Sequence, residues 1–334
     1  MVNDKKRWRR NSRIFLSGFG FAILVSFLFI QSTYEEKEDA GYEKVFQENY
    51  HVFALNIPNE LEFCDEEVPL QLIDVREKLD RELLVNTYWQ SNMLLFLKRS
   101  HRWFPVIEPI LAENGVPDDF KYLALIESGL TPIVSPAGAT GFWQIMRATG
   151  QEHGLRINKE VDERYHVEKS TQFACDYLKE AKEKFGSWTL AAGSYNMGMN
   201  GMRKQLERQK VDNYYDLLLN EETSRYLFRI LAVKHIITHA PEYGFTFRSK
   251  HLYPTIETEE VLLDSSVANF ADYAFEHQIN YKVLKYFNPW LRQSYLHNTK
   301  GDTYWVKIPT EKYRRQIMLD LQLPEMEEDT ITAE

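Results

Sequence analysis

The residues best suited to chemistry lie between Tyr122 and Gly150, in the run YLALIESGLTPIVSPAGATGFWQIMRATG. Phe120, Leu123 and Ala124 share one face of a predicted helix, and Glu127 takes the next place in that stripe, seven residues after Phe120. Leu125 and Ile126 make the adjoining faces apolar too. A carboxylate so placed loses hydration, which disfavours its charged form and raises its pKa. A glutamate kept protonated near neutral pH can act as a general acid. Gly129 and Pro132 end the helix, so Glu127 is expected at a helix end opening on a loop.

From Ser128 to Gln151 there is no Asp or Glu, and the one charge is Arg147. The loop offers Ser135, Gly138, Gly141 and Gln144 with Trp143 and Met146: hydrogen-bonding groups, glycines that admit a ligand to the backbone, and apolar surface for a sugar ring. A second cluster, Gly193 to Gly198 with Gly201, again joins a helix end, a polar aromatic and glycines. On physics alone this is a buried acid beside a groove, and a glutamate that merely caps or pairs inside a helical domain fits the same residues. Asp162, Glu221 or Glu222 could supply a second carboxylate through folding. No metal site is expected: His235 and His239 stand four apart, but no glutamate follows His235 and no third ligand is evident. The glycines at 138 and 141 lack a following G-K-[ST], so no phosphate loop is expected either.

Three elements resemble the lytic transglycosylases of the lysozyme superfamily. The first is Glu127-Ser128 followed by Ser135-Pro136-Ala137-Gly138-Ala139, then Gly141-Phe142-Trp143-Gln144-Ile145-Met146 with Thr149. The second, Ser194-Tyr195-Asn196-Met197-Gly198, is similar to the family's A-Y-N-x-G, with serine in the alanine place. The third, Glu222-Thr223 with Tyr226, is similar to E-T-x-x-Y. The resemblance implies cleavage of the β-1,4 bond between N-acetylmuramic acid and N-acetylglucosamine of peptidoglycan, forming 1,6-anhydro ends without cofactor or metal. It makes Glu127 the single acid and then base. It gives Ser128, Ser135, Gln144, Met146, Tyr195, Asn196 and Glu222 to substrate binding, with Gln144 and Met146 on the N-acetyl side. Ser135 lies eight residues after Glu127, where many members have nine. The alternatives are a lysozyme-like hydrolase, which needs a positioned water, and a non-catalytic wall-binding protein.

The elements that must position these residues are mainly helical. Leu79, Leu83 and Leu84, then Leu94, Leu95 and Leu97, then Phe173, Tyr177, Leu178, Ala181 and Phe185 recur at three-to-four spacing. Ser187 is suited to cap a helix from Trp188, and a long helix is expected over Thr223–His239. The expected architecture is mainly α: a lysozyme-like helical catalytic domain over residues 70–247, with a transmembrane helix before it. After it comes a small β-α-α-β module over 248–310, then a helix and acidic tail over 311–334. The module's Asn288-Pro289 and closing strand resemble a divergent LysM peptidoglycan-binding domain, although its opening strand lacks the usual glycine-aspartate turn.

The chain has 334 residues, 44% of them hydrophobic and 27% charged, which suits a folded protein. Its net charge of −9 argues against a nucleic-acid partner. That charge is segregated: residues 1–13 carry six basic residues against Asp4, a stub of +5 that leaves −14 for the remainder. Residues 14–30 (IFLSGFGFAILVSFLFI) are uncharged and long enough to cross most of a bilayer of about 30 Å. No A-x-A-like site follows, so an uncleaved inner-membrane anchor is expected, with the stub in the cytosol and the catalytic domain in the periplasm. Residues 31–69 are expected to be a linker, or an arm packed along the main domain. Cys175 sits in an apolar helical pattern, which favours a buried free thiol over a Cys64–Cys175 bridge.

Overall fold

The computed structural model describes Gly41 and residues 52–317, side chains excepted at 315–317. The expected basic stub, membrane span and acidic tail lie outside these residues. Among the described residues, no helix is long and apolar enough to cross a membrane.

Eight helices build the helical part: α1 (Ile73–Tyr88), α2 (Gln90–Glu113), α3 (Phe120–Ser128), α4 (Arg147–Glu152), α5 (Val167–Phe185), α6 (Trp188–Met197), α7 (Met199–Gln209) and α8 (Glu221–Thr238). The packed pairs include α1 with α8, α5 with α6 and with α2, and α3 with α8. The nine-residue α3 is too short to persist alone in water, so burial must hold it. Phe120, Leu123, Ala124 and Leu125 are fully buried, with Tyr122 and Ile126 nearly so. Gly129 closes the helix at a positive φ of 60°, its N–H on the Leu125 carbonyl at 2.8 Å.

Capping decides several helix starts. Ser187 accepts the Leu190 N–H at 3.1 Å, as the sequence predicts. Asn220 caps α8 through the Thr223 N–H at 2.8 Å, so the helix starts two residues earlier than the apolar pattern suggests and takes Glu222 into its first turn. Glu66 also serves α6, accepting from the Trp188 N–H at 2.6 Å, the Thr189 N–H at 2.8 Å and Lys182 at 3.0 Å. Burial alone would raise the Glu66 pKa, but these donors and the Thr189 hydroxyl bring it below the ordinary value. Glu66 lies on a hairpin of strands β1 (Glu62–Phe63) and β2 (Glu66–Glu67), turned by Cys64 and Asp65 at positive φ. Phe63 packs edge-on against Phe120 at 5.3 Å, so this stretch of the expected arm is packed on the helical core. Cys64 and Cys175 are free, buried thiols.

The C-terminal part has the expected β-α-α-β order: β3 (Thr258–Leu263), α9 (Phe270–Glu276), α10 (Tyr281–Phe287) and β4 (Tyr304–Pro309), followed by α11 (Glu311–Ile317). The two strands are antiparallel, with Val261 opposite Val306 and Leu262 opposite Trp305. The fully buried Asn288 clamps β4 by giving to and taking from the Lys307 backbone at 2.8 Å each. Phe270, Leu284, Leu291, Val306 and Ile308 form a core of their own.

Candidate active site

Glu127 stands in the last turn of α3, partly buried among apolar neighbours. Desolvation is the largest influence on its carboxyl and pushes the pKa up; the Tyr226 hydroxyl and the Arg229 charge pull it down, and the Glu222 charge pushes it up again. The Tyr226 hydroxyl donates to Oε1 of Glu127. Tyr226 is itself buried, and burial together with the Glu127 charge raises its pKa well above the ordinary value, which keeps the hydroxyl a donor. Arg229 lies one turn further along α8 and donates to the Ile126 carbonyl at 3.1 Å. Tyr195 donates to the Trp143 carbonyl at 2.8 Å; burial and the Glu127 charge raise its pKa well above the ordinary value.

The loop after α3 is folded on itself. Thr140 and Ile145 exchange backbone hydrogen bonds at 3.0 and 3.1 Å, and Ser135 Oγ accepts the Ala139 N–H at 3.0 Å. Gln144 is held at a positive φ of 46°, its side-chain amide donating to the Gly141 and Ile133 carbonyls at 2.8 and 3.2 Å. Met146 is 46% exposed, with Ile133 and Val134 exposed beside it in the loop, so Met146 is not core filler. Trp143 has the opposite fate: it is fully buried, its Nε1 on Thr171 Oγ1 at 2.9 Å, so its ring is closed to a ligand. The Ser128 hydroxyl is buried, donating to the Phe142 carbonyl at 2.8 Å and lying 3.2 Å from the Ala124 carbonyl, so it ties the loop to α3.

The remaining predicted residues meet at the start of α8. Asn196 accepts from the Thr223 hydroxyl at 2.8 Å and donates to Oε1 of the exposed Glu222 at 3.2 Å. Glu127, Tyr195, Asn196 and Glu222 thus come together, whereas Ser135 keeps to its own loop. Asp162 pairs with Arg164 at 2.7 Å, and Glu221 lies 3.5 Å from Arg225. Among the described residues, the other carboxylate whose charge reaches Glu127 is therefore Glu222.

Residues 105–218 match the family described as the transglycosylase SLT domain. The chain carries a transglycosylase SLT domain. Residues 259–312 match the soluble lytic transglycosylase C-terminal LysM-like domain. The chain is 28% identical over 244 residues to the membrane-bound lytic murein transglycosylase D of Escherichia coli K12, and equally so to that of an O6:H1 strain. The match takes in 70% of this chain and 51% of each relative, so the chain spans about half the length of the curated relatives it matches. A solved structure of the lytic transglycosylase Slt of Pseudomonas aeruginosa, an inactive mutant, is similar with a TM-score of 0.33 and 15% identity, covering 55% of this chain and 36% of that one.

Helix α8 starts beyond the matched SLT residues yet brings Glu222, Tyr226 and Arg229 to the acid. Neither the contact of Tyr226 with Glu127 nor the part played by Arg229 is among the expectations drawn from the sequence. A signal existed: Glu222, Tyr226 and Arg229 follow at four- and three-residue spacing, which sets them on one helical face.

Proposed function

We propose that the protein is a lytic transglycosylase that cuts the β-1,4 bond between N-acetylmuramic acid and N-acetylglucosamine in peptidoglycan and leaves 1,6-anhydromuramic ends. The observation that carries the reading is a single glutamate with a raised pKa at a helix end, held by a tyrosine hydroxyl. Glycosidases ordinarily use two carboxylates as acid and as base or nucleophile. Here Glu127 protonates the leaving oxygen and the sugar's N-acetyl group supports the cationic centre. Glu127, now a carboxylate, then takes the proton of the sugar's own 6-hydroxyl as that oxygen closes on the anomeric carbon. The intramolecular attack draws on a high effective molarity and uses no water as nucleophile. Gln144 and Met146 flank the N-acetyl side, Tyr195 and Asn196 line the site, and Glu222 contacts sugar hydroxyls. Residues 14–30 anchor the chain in the inner membrane with the catalytic domain in the periplasm.

The test is digestion of purified sacculi by the full chain in detergent, with the products weighed. Ends lighter than the hydrolysed form by one water, lost in Glu127→Gln, are the expected result. Reducing ends alone would assign the chain to the hydrolases, and equal release by wild type and Glu127→Gln would remove it from the enzymes.

A further inference from the structure

The loop that carries Gln144 and Met146 rests on one buried residue of the segment before α5. The Arg164 guanidinium grips the Asp162 carboxylate through Nε and Nη2 at 3.0 and 2.7 Å. Its Nη1 donates to the Gly138 and Ile145 carbonyls at 3.2 and 3.1 Å. The Arg164 backbone oxygen lies 1.9 Å from where a Cβ on Gly141 would stand, so the loop lies directly on it. Gly138, Gly141 and Ile145, three points of the loop, are therefore fixed by a single side chain and its own carbonyl.

The other side of the same segment belongs to the C-terminal module. The Asp162 N–H donates to the Trp290 carbonyl at 2.9 Å, and the Arg292 N–H to the Glu160 carbonyl at 2.7 Å. Val161 bridges to Leu291 as a strand would, and Val161 and Tyr165 are buried within the module's core, not that of the helices. The Arg292 guanidinium lies 4.0 Å from the centre of the Tyr165 ring. Arg156 pairs with Asp302 at 3.0 Å and bonds the Tyr304 hydroxyl, while Lys307 pairs with Glu168 at the start of α5. Burial first raises the Glu168 pKa, but His166 and Lys307 bring it down to about 2, so that carboxylate stays charged over the working range of pH.

We propose that the C-terminal module is a working part of the catalytic site. By ordering residues 156–166 it sets Arg164, and Arg164, a positioning residue, sets the loop that presents Gln144 and Met146. A module serving only as a second wall-binding surface would need no share of its core in the catalytic segment. The proposal rests on the reading that this loop binds glycan.

The experiment compares three full-chain variants with wild type: Asp302→Ala with Lys307→Ala, Trp290→Ala, and Arg164→Lys, which keeps a cation beside Asp162 but not the fork. Hydrogen exchange is followed at the amides of residues 138–146, and KM and kcat are measured on soluble uncrosslinked glycan strands. The expected result is exchange in the loop faster by about tenfold, with KM raised more than kcat is lowered. Loop exchange at the wild-type rate in both module variants overturns the proposal, whatever Arg164→Lys does. So does a loss confined to kcat with KM unchanged. Exchange is read without turnover, so a Glu127→Gln chain that still lyses sacculi would refute the catalytic reading and leave the coupling of module to loop standing.

Discussion

Replacing Tyr226 by Phe removes one hydroxyl and leaves the ring's packing in place. That hydroxyl donates to Glu127 Oε1 from a side chain that is 1% exposed. A hydrogen bond to a charged acceptor is worth about 1.5–3 kcal/mol, but the protonated carboxyl also bonds a hydroxyl, so only the difference between the two forms moves the pKa. A difference of about 1.4 kcal/mol corresponds to one pH unit. The donor favours the carboxylate, so its removal raises the Glu127 pKa further, by about one pH unit. A general acid works in its protonated form, and kcat/KM falls as pH rises through the pKa of that acid in the free enzyme. Tyr226→Phe is thus expected to move the alkaline limb of the kcat/KM profile about one pH unit higher, and to lower the plateau because Glu127 has lost a fixed partner. The assay is release of soluble muropeptides from sacculi between about pH 4 and 9, with circular dichroism to show that the fold is retained. An alkaline limb that stays in place, or moves to lower pH, would refute the assignment of that limb to Glu127.

Further outcomes follow from the same geometry. Glu127→Gln is expected to lower lysis by about 100-fold or more. It should also stabilise the chain at about pH 8 but not at about pH 4: the folded pKa of Glu127 lies above the unfolded value, so its burial costs nothing while both states are protonated, and begins to cost stability as pH rises past the unfolded pKa. Calorimetry at the two pH values reads the difference, about 1.4 kcal/mol for each pH unit that separates the folded from the unfolded pKa. Gly141→Ala places a methyl 1.9 Å from the Arg164 carbonyl at a φ of +83°, and should lose at least about 1–3 kcal/mol in a urea titration and lose lytic activity with it. Glu82 is 1% exposed between Arg81 and Arg225; Glu82→Ala leaves Arg225 the exposed Glu221 at 3.5 Å in its place, and since the Arg225 side chain also keeps 27% of its surface in water the loss should be about 2 kcal/mol, below the roughly 3–5 kcal/mol of a fully buried pair.

What could be read from the sequence is what obeys a period or a cap. The apolar stripe ending at Glu127 announced both α3 and the desolvated acid, and Ser187 announced the start of α6. The β-α-α-β order was legible because alternation and three-to-four spacing are separated there by Asn-Pro. The loop from Thr131 to Met146 has no period, so nothing in it says which of Trp143 and Met146 is buried. The answer depends on Thr171, 28 residues from Trp143, which takes up the indole N–H. Ser128 is given to the site only by the resemblance; adjacent helical residues face different directions, and its hydroxyl bonds the Phe142 carbonyl, a partner no local pattern announces. Asp162 and Arg164 gave no hint of holding the loop, since two residues of opposite charge two apart look like a solvated turn.

The contrast between Glu66 and Glu127 shows how the number of hydrogen-bond donors decides what burial does to a carboxyl. Burial pushes both carboxyls upward. Glu66 reaches from its hairpin to the start of α6, where the Thr189 hydroxyl, the Trp188 and Thr189 N–H groups and Lys182 all donate to it, and its pKa falls. Glu127 sits in the last turn of α3, away from any such set of N–H groups, with the Tyr226 hydroxyl as its hydrogen-bond donor. Its pKa rises, but not without limit, because Tyr226 and Arg229 oppose the rise. A group required to give a proton and then to receive one at the same pH must be tolerable in both states. Burial and the Glu222 charge favour the acid; Tyr226 and Arg229 favour the base. A site built for a fixed ion pair would carry only the second set, and one built for a permanently neutral carboxyl only the first. The presence of both around one glutamate is what a single-acid mechanism needs.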